Sequence, residues 1–208
     1  MCRVSRGRTE EKSPERLIAL SDGIFAIAMT LLVLDIHVPT GLDTDGFRGA
    51  VGDWLPKLGA YALSFTILAG FWRDHRRILH MIKRMDALSE RLTLAGLGVI
   101  ALVPFPTAML SEYASRPLAV AFYALTIAVV DILQLALFLS IREQFHADHP
   151  LAGRAGRNVV ADLSATVLVF GVTVPIAFVS PVAAMWSWLV LVPVKATIGR
   201  RYDVGASR

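Results

Sequence analysis

The sequence predicts an all-α integral membrane protein with six transmembrane helices, on the strength of three observations. First, 55% of its 208 residues are hydrophobic and only 18% are charged, whereas soluble domains carry about a quarter charged residues. Second, mean hydropathy is +0.56, and the apolar residues are gathered into runs of about 20, the length a helix needs to cross a bilayer core. Third, the basic residues fall almost wholly in alternate connections between those runs. The length suits one compact bundle rather than two domains. Cys2 is the only cysteine, so no intrachain disulfide can form.

The first span runs from about Leu17 to Val38. A basic segment precedes it, but Asp22 and Asp35 interrupt it and no small-x-small cleavage site follows, so it reads as a retained helix rather than a signal peptide. The second covers Trp54–Trp72, with Pro56 near its start. The third is Leu92–Leu110, uncharged throughout, and the fourth is Pro117–Ile141, apolar except for Asp131 and Gln134. The uncharged stretch from Leu163 to Val194 is too long for one ordinary span. "VSPVA" at Val179–Ala183 offers a proline-marked turn that divides it into a fifth and a sixth. Trp54, Trp72, Tyr113, Trp186 and Trp188 fall near the predicted interfaces, as an aromatic belt requires.

An even number of spans puts both termini on one side, together with Arg73, Arg76, Arg77, Lys83, Arg84, Arg91, Arg142, Arg154 and Arg157 of the connections. The other side receives Arg48, Lys57 and Arg116. By the positive-inside rule the termini are cytoplasmic, in a cell membrane. The predicted organisation is a tail over residues 1–15, a six-helix domain over 16–199 and a second tail over 200–208. Topology and anionic lipid headgroups account for the basic isoelectric point, so no nucleic-acid partner is predicted.

"RLIALSDGIFAIAMTLLVLDI" (Arg16–Ile36) places charge in an otherwise apolar helix. At helical periodicity Leu20, Gly23, Ile27, Thr30 and Leu34 form one narrow stripe, with Arg16 at its end, while Ser21 and Asp22 point away from it. Ionisable groups at membrane depth face a protein partner or a water-filled cavity. Asp22 therefore predicts a buried partner, and the stripe predicts either a helix–helix seam or a pore wall. On periodicity alone, ordinary packing, with Gly23 permitting close approach, is the simpler explanation of the stripe.

The segment Arg16-Leu17-Ile18-Ala19-Leu20-Ser21-Asp22 resembles the R-x-x-x-F-S-D motif on the first helix of the transmembrane protein 175 family of potassium channels, with leucine for phenylalanine. "GFWRDHRRIL" (Gly70–Leu79) is similar to the aromatic–histidine end of that family's second helix, and "LVPFPTAMLSEY" (Leu102–Tyr113) to its Pro-Phe-Pro segment. The resemblance covers roughly residues 16–113. It implies a homotetramer in the lipid bilayer, with four copies of the first helix lining a pore for K⁺ and no bound cofactor. No TVGYG-type filter occurs here. The resemblance assigns the constriction to Ile27, with Gly23 on the same wall and Thr30 and Leu34 as further rings toward the extracellular end. It also implies a network joining Arg16, Ser21 and Asp22 to a histidine of the second helix, His75 or next His80, and to an acid near the start of the third, Asp86. The third helix lacks an asparagine that the family often carries there.

Other chemistry is poorly supplied. His146 and His149 in "HADHP" have no accompanying ligand set, so no metal site is predicted. No nucleotide-binding loop, nucleophile elbow or carboxylate pair suggests an enzyme. Asp131 belongs to no motif and is a possible proton site. With Asp22 it supports the alternative of a proton-coupled carrier of cations or small solutes, for which Pro104, Pro106 and Pro175 offer helix breaks.

Overall fold

The computed structural model describes residues 14–36, 40–41, 43–82, 86–142 and 154–188. "HADHP" and the predicted tails lie outside these residues, apart from Pro14 and Glu15. The described residues form seven α-helices: α1 (Pro14–Leu31), α2 (Thr44–Met81), α3 (Ala87–Leu102), α4 (Pro104–Tyr113), α5 (Pro117–Arg142), α6 (Arg154–Val179) and α7 (Pro181–Ser187). A 3-10 turn, Leu32–Asp35, extends α1.

Capping chemistry sets several of the boundaries. The Asp43 carboxylate accepts from Gly46 N–H at 2.8 Å to start α2, and the Asp86 carboxylate accepts from Ser89 N–H at 2.9 Å to start α3. Gly41, at φ 78°, takes the left-handed conformation just before α2. Between α3 and α4 the helix breaks at Val103–Pro104, because Pro104 has no N–H to continue the ladder. Ser180 separates α6 from α7, its hydroxyl accepting from Ala183 N–H, with Pro181 opening the new helix.

Four of these segments are long and apolar enough to cross a membrane: Glu15–Leu34, Ala87–Tyr113, Pro117–Arg142 and Gly156–Val179. The break at Pro104 thus lies inside one span, and the predicted third span extends a turn or more beyond Leu92 at its start. The predicted second span lies within α2, which continues for polar turns on either side of Trp54–Trp72 and is not among the four. The predicted division at Val179–Ala183 falls at Ser180, but α6 begins at Arg154, nine residues before the uncharged stretch. Charged residues at its start do not stop a helix whose next turns are apolar on one face. Of the predicted sixth span only the first turns, as α7, lie among the described residues.

The core is built around α5, of whose span 56% is buried, against 22% for α1. α5 packs along α6 and α3 and also touches α4, α7 and α2. One buried cluster joins Phe25, Leu32, Leu68, Ile100, Tyr123 and Phe170. A second joins Ile78 and Leu79 to Phe138, Ile141 and Leu163 at the other end. Trp188 is a correction to the predicted aromatic belt. It is 5% exposed, with its ring centroid 5.2 Å from Tyr123 and 5.6 Å from Phe170, because the turn at Ser180 folds α7 back onto the bundle.

A chain of buried hydroxyls holds the broken third span in place. Tyr123 Oη on α5 lies 3.0 Å from Ser64 Oγ on α2. Thr107 Oγ1 on α4 lies 2.9 Å from both Ser64 Oγ and the carbonyl oxygen of Val103. Three helices thereby share polar contacts away from lipid, where each unmade bond is costly. Tyr123→Phe, which removes one link, is expected to cost about 1 kcal/mol and to lower the melting temperature of the detergent-solubilised protein by a few degrees. An unchanged melting temperature would show that the chain contributes nothing to stability.

Candidate functional site

α1 has two faces of opposite character. Ser21, Phe25, Ala28 and Leu32, at spacings of four, three and four, are buried at 1–2% exposure against the other helices of the chain. On the other face Leu20, Gly23, Ile27, Thr30 and Leu34 are all exposed, with Ile27 at 60% and Leu34 at 66%. A side chain built at Gly23 would meet nothing within 4 Å. The stripe predicted from periodicity is therefore open in the single chain and is no seam within it.

Three contacts orient the buried face, all of them to one face of α2. Asp22 Oδ1 accepts from Trp72 Nε1–H at 2.7 Å. Ser21 Oγ lies 3.3 Å from His75 Nε2 and donates to the Leu17 carbonyl at 2.8 Å. With the hydroxyl proton committed to Leu17, Nε2–H of His75 is the donor toward Ser21. The Phe25 ring packs on the imidazole with centroids 5.8 Å apart. Trp72, His75 and Arg76 are three and four residues apart and so share a helix face. The Arg76 guanidinium sits 5.4 Å from the Trp72 ring centroid, and its Nε–H donates to His80 Nε2 at 3.4 Å. The indole therefore meets an anion with its N–H edge and a cation with its negative face.

Compared with the network that the resemblance implies, the structure brings Ser21 to His75 but satisfies Asp22 with Trp72. Arg16 is exposed in the first turns of α1, and no described residue pairs with it. His80 is exposed and tied to Arg76. Asp86 is committed to capping α3: Ser89, through its hydroxyl and its backbone N–H, holds that carboxyl below the usual carboxylate range. An exposed acid engaged by its own helix N-terminus has little left for a distant arginine. Trp72 was predicted as a belt residue only. The signal available was its position three residues before His75, on the same face. Asp131 is fully buried on α5, away from this group.

Several apolar membrane-spanning helices define a multi-pass membrane protein, and one of them is anchored by a carboxylate and open along its opposite face. Comparison with known proteins makes this specific. Residues 16–104 match the family model described as "Endosomal/lysosomal potassium channel TMEM175". A potassium channel of Streptomyces collinus is 35% identical over 170 residues, covering 79% of this chain and 82% of that protein. One from Chamaesiphon minutus is 34% identical over 161 residues, covering 73% and 75%. The fold is similar to the crystal structure of a lysosomal potassium-selective channel TMEM175 homolog from Chamaesiphon minutus, with a TM-score of 0.75 and 26% identity over 90% of this chain. The chain belongs to the TMEM175 family, which is one of ion channels and not of enzymes.

Trp72→Phe keeps the ring beneath Arg76 but removes the donor to Asp22, and is expected to cost about 1.5–3 kcal/mol, the range for hydrogen bonds to charged groups. Adding Asp22→Asn to Trp72→Phe should recover part of the loss in melting temperature, since the unpaired charge is then gone. Additive losses in the double variant would show that the two side chains do not interact.

Proposed function

We propose that this chain is the subunit of a potassium channel, a homotetramer in which four copies of α1 line the conduction path through Gly23, Ile27, Thr30 and Leu34. The observation that carries this reading is the exposed, largely uncharged face of α1, set opposite a polar anchor that fixes the helix's rotation. A helix needed only for packing would bury its regular stripe inside the subunit. The potassium-channel relatives and the distribution of basic residues support a cell-membrane protein of six spans with both termini cytoplasmic.

The mechanism follows from what the face offers an ion. A ring of four Ile27 side chains presents no oxygen, so a cation stripped of water there loses hydration without replacement. Closed, such a ring excludes water and gates by dewetting. Open, it favours the ion that gives up part of its shell more cheaply, and K⁺ holds water less tightly than Na⁺. Apolar rings alone give modest selectivity. Thr30 adds to it: its hydroxyl donates to the Ile27 carbonyl at 2.9 Å, so its proton is directed back onto the helix while oxygen lone pairs remain for a passing cation. Four such oxygens stand one turn above the Ile27 ring. Leu34 forms a second apolar ring toward the opposite end, and Gly23 leaves the first-turn side of the path wide. Arg16, exposed at the end of this stripe, is available to a neighbouring subunit, and the Asp22–Trp72 contact keeps every copy of α1 in one orientation.

The test is cation flux through the purified protein in liposomes, under K⁺ or Na⁺ gradients, for wild type and Ile27→Asn. Wild-type flux favouring K⁺, with most of that preference lost and total flux raised in the variant, is the expected result. Wild-type protein that passes no cation, or passes one only under an imposed proton gradient, would overturn the channel reading. The second of these outcomes would favour the proton-coupled carrier.

A further inference from the structure

Away from α1, the centre of the subunit carries polar groups that the conduction path does not use. Asp131 and Gln134 on α5 are 0% and 2% exposed. At 1.5 Å per residue Asp131 lies about 21 Å from one end of α5 and about 17 Å from the other, near the middle of the span. Three residues apart, the two side chains share a helix face, with Cβ atoms about 5–6 Å apart. Gln134 has no hydrogen-bond partner for either its nitrogen or its oxygen among the described residues. The same is true of the Thr93 hydroxyl on α3, which is 1% exposed.

Thr93 and Gln134 stand at similar depth. α3 and α5 run antiparallel in a defined register: Ser89 Oγ is 3.3 Å from Ser140 Oγ, and the bare Cα of Gly96 lies against Leu133. That register sets Thr93 level with residues 136–137 of α5, less than a turn from Gln134. Buried amides left wholly unbonded are rare in proteins, and internal water normally satisfies such groups.

The geometry points to a hydrated proton-binding site inside each subunit, formed by Asp131, Gln134 and Thr93 and separate from the pore. The ligand is a proton carried by water. Hydronium transfers its proton to the Asp131 carboxylate, leaving water and a neutral carboxylic acid, and release reverses the step. Gln134 serves both states. Through an intervening water its Nε2–H serves the carboxylate, and its Oε1 serves the acid O–H. The Thr93 hydroxyl, donor and acceptor at once, holds the water that connects them.

The surrounding elements bring few competing charges. The buried faces of α4 and α7 carry no titratable side chain, and on α3 the half-buried Glu90 in the first turn precedes Thr93 by three residues. On α6 the half-buried Asp162 precedes Thr166 by one turn, and the Thr166 hydroxyl donates to its carbonyl. On α2 His75 is engaged by Ser21, and α5's own Tyr123 is engaged by Ser64.

Infrared difference spectra of the full-length protein in liposomes, acidic minus alkaline, test the assignment without reference to conduction. A carboxylic-acid C=O band that grows on acidification, disappears in Asp131→Asn and shifts to higher frequency in Gln134→Leu is expected. Identical difference spectra for wild type and Asp131→Asn would overturn the proposal. Should Asp131→Asn not fold, Gln134→Leu and Thr93→Val decide alone: a band that moves in either supports the site, and a band unmoved in both belongs to another carboxyl.

Discussion

A carboxylate on a membrane-spanning helix must find its hydrogen bonds inside the protein, because lipid supplies none. In this subunit the donor to Asp22 is the indole N–H of Trp72, and much of the architecture depends on that contact. Asp22 and Ser21 are neighbours in sequence, so meeting Trp72 and His75 together leaves α1 little freedom to rotate. Phe25, Ala28 and Leu32 then fall into the bundle by helical periodicity alone. The same rotation turns Gly23, Ile27, Thr30 and Leu34 outward. A polar constraint near one end of the helix thereby determines the orientation of an almost wholly apolar face several turns away.

Burial is divided unequally among the spans. α5, the most buried of the four apolar spans, holds the bundle together through its contacts with α6 and α3, while α1, the least buried, sits at the edge with its outer face exposed. The broken span formed by α3 and α4 could loosen such a bundle, since Pro104 interrupts its backbone ladder. The hydroxyl chain from Tyr123 through Ser64 and Thr107 to the Val103 carbonyl binds the two halves to their neighbours at the point of the break. The short α7, turned back at Ser180, adds Trp188 to the same core. What the proline costs in backbone bonding is thus offset by side chains from α2 and α5.

The polar residues of this chain fall into two groups with different surroundings. Those at the α1–α2 contact pair with one another and with a cation above the indole ring, an arrangement that resists change and suits an anchor. Those at the α3–α5 seam, Gln134 and Thr93, have no protein partner among the described residues, which suits a site whose occupant comes from water. Ser21 and His75 are as deeply buried as Gln134 and Thr93, so burial alone does not separate the groups. The difference lies in whether neighbouring helices present complementary groups.

Much of this was legible in the order of residues. Helical class, membrane insertion and the outer stripe of α1 follow from hydropathy and period, because a helix spaces its faces by local geometry that no tertiary contact alters. The breaks at Pro104 and Pro181 were legible for the same reason, since a missing N–H is a property of the residue itself, whereas Pro106 and Pro175, also offered as breaks, lie inside continuous helices. Other features were decided only when helices distant in sequence came together. That Trp72 rather than Arg16 satisfies Asp22, that Asp86 spends its carboxylate on its own helix, and that Trp188 lies in the core rather than at an interface all depend on which helix faces which. Period tells which side chains share a face; only packing selects the partner each face meets, since many pairings satisfy the same local pattern and the choice among them rests on groups far apart in the chain.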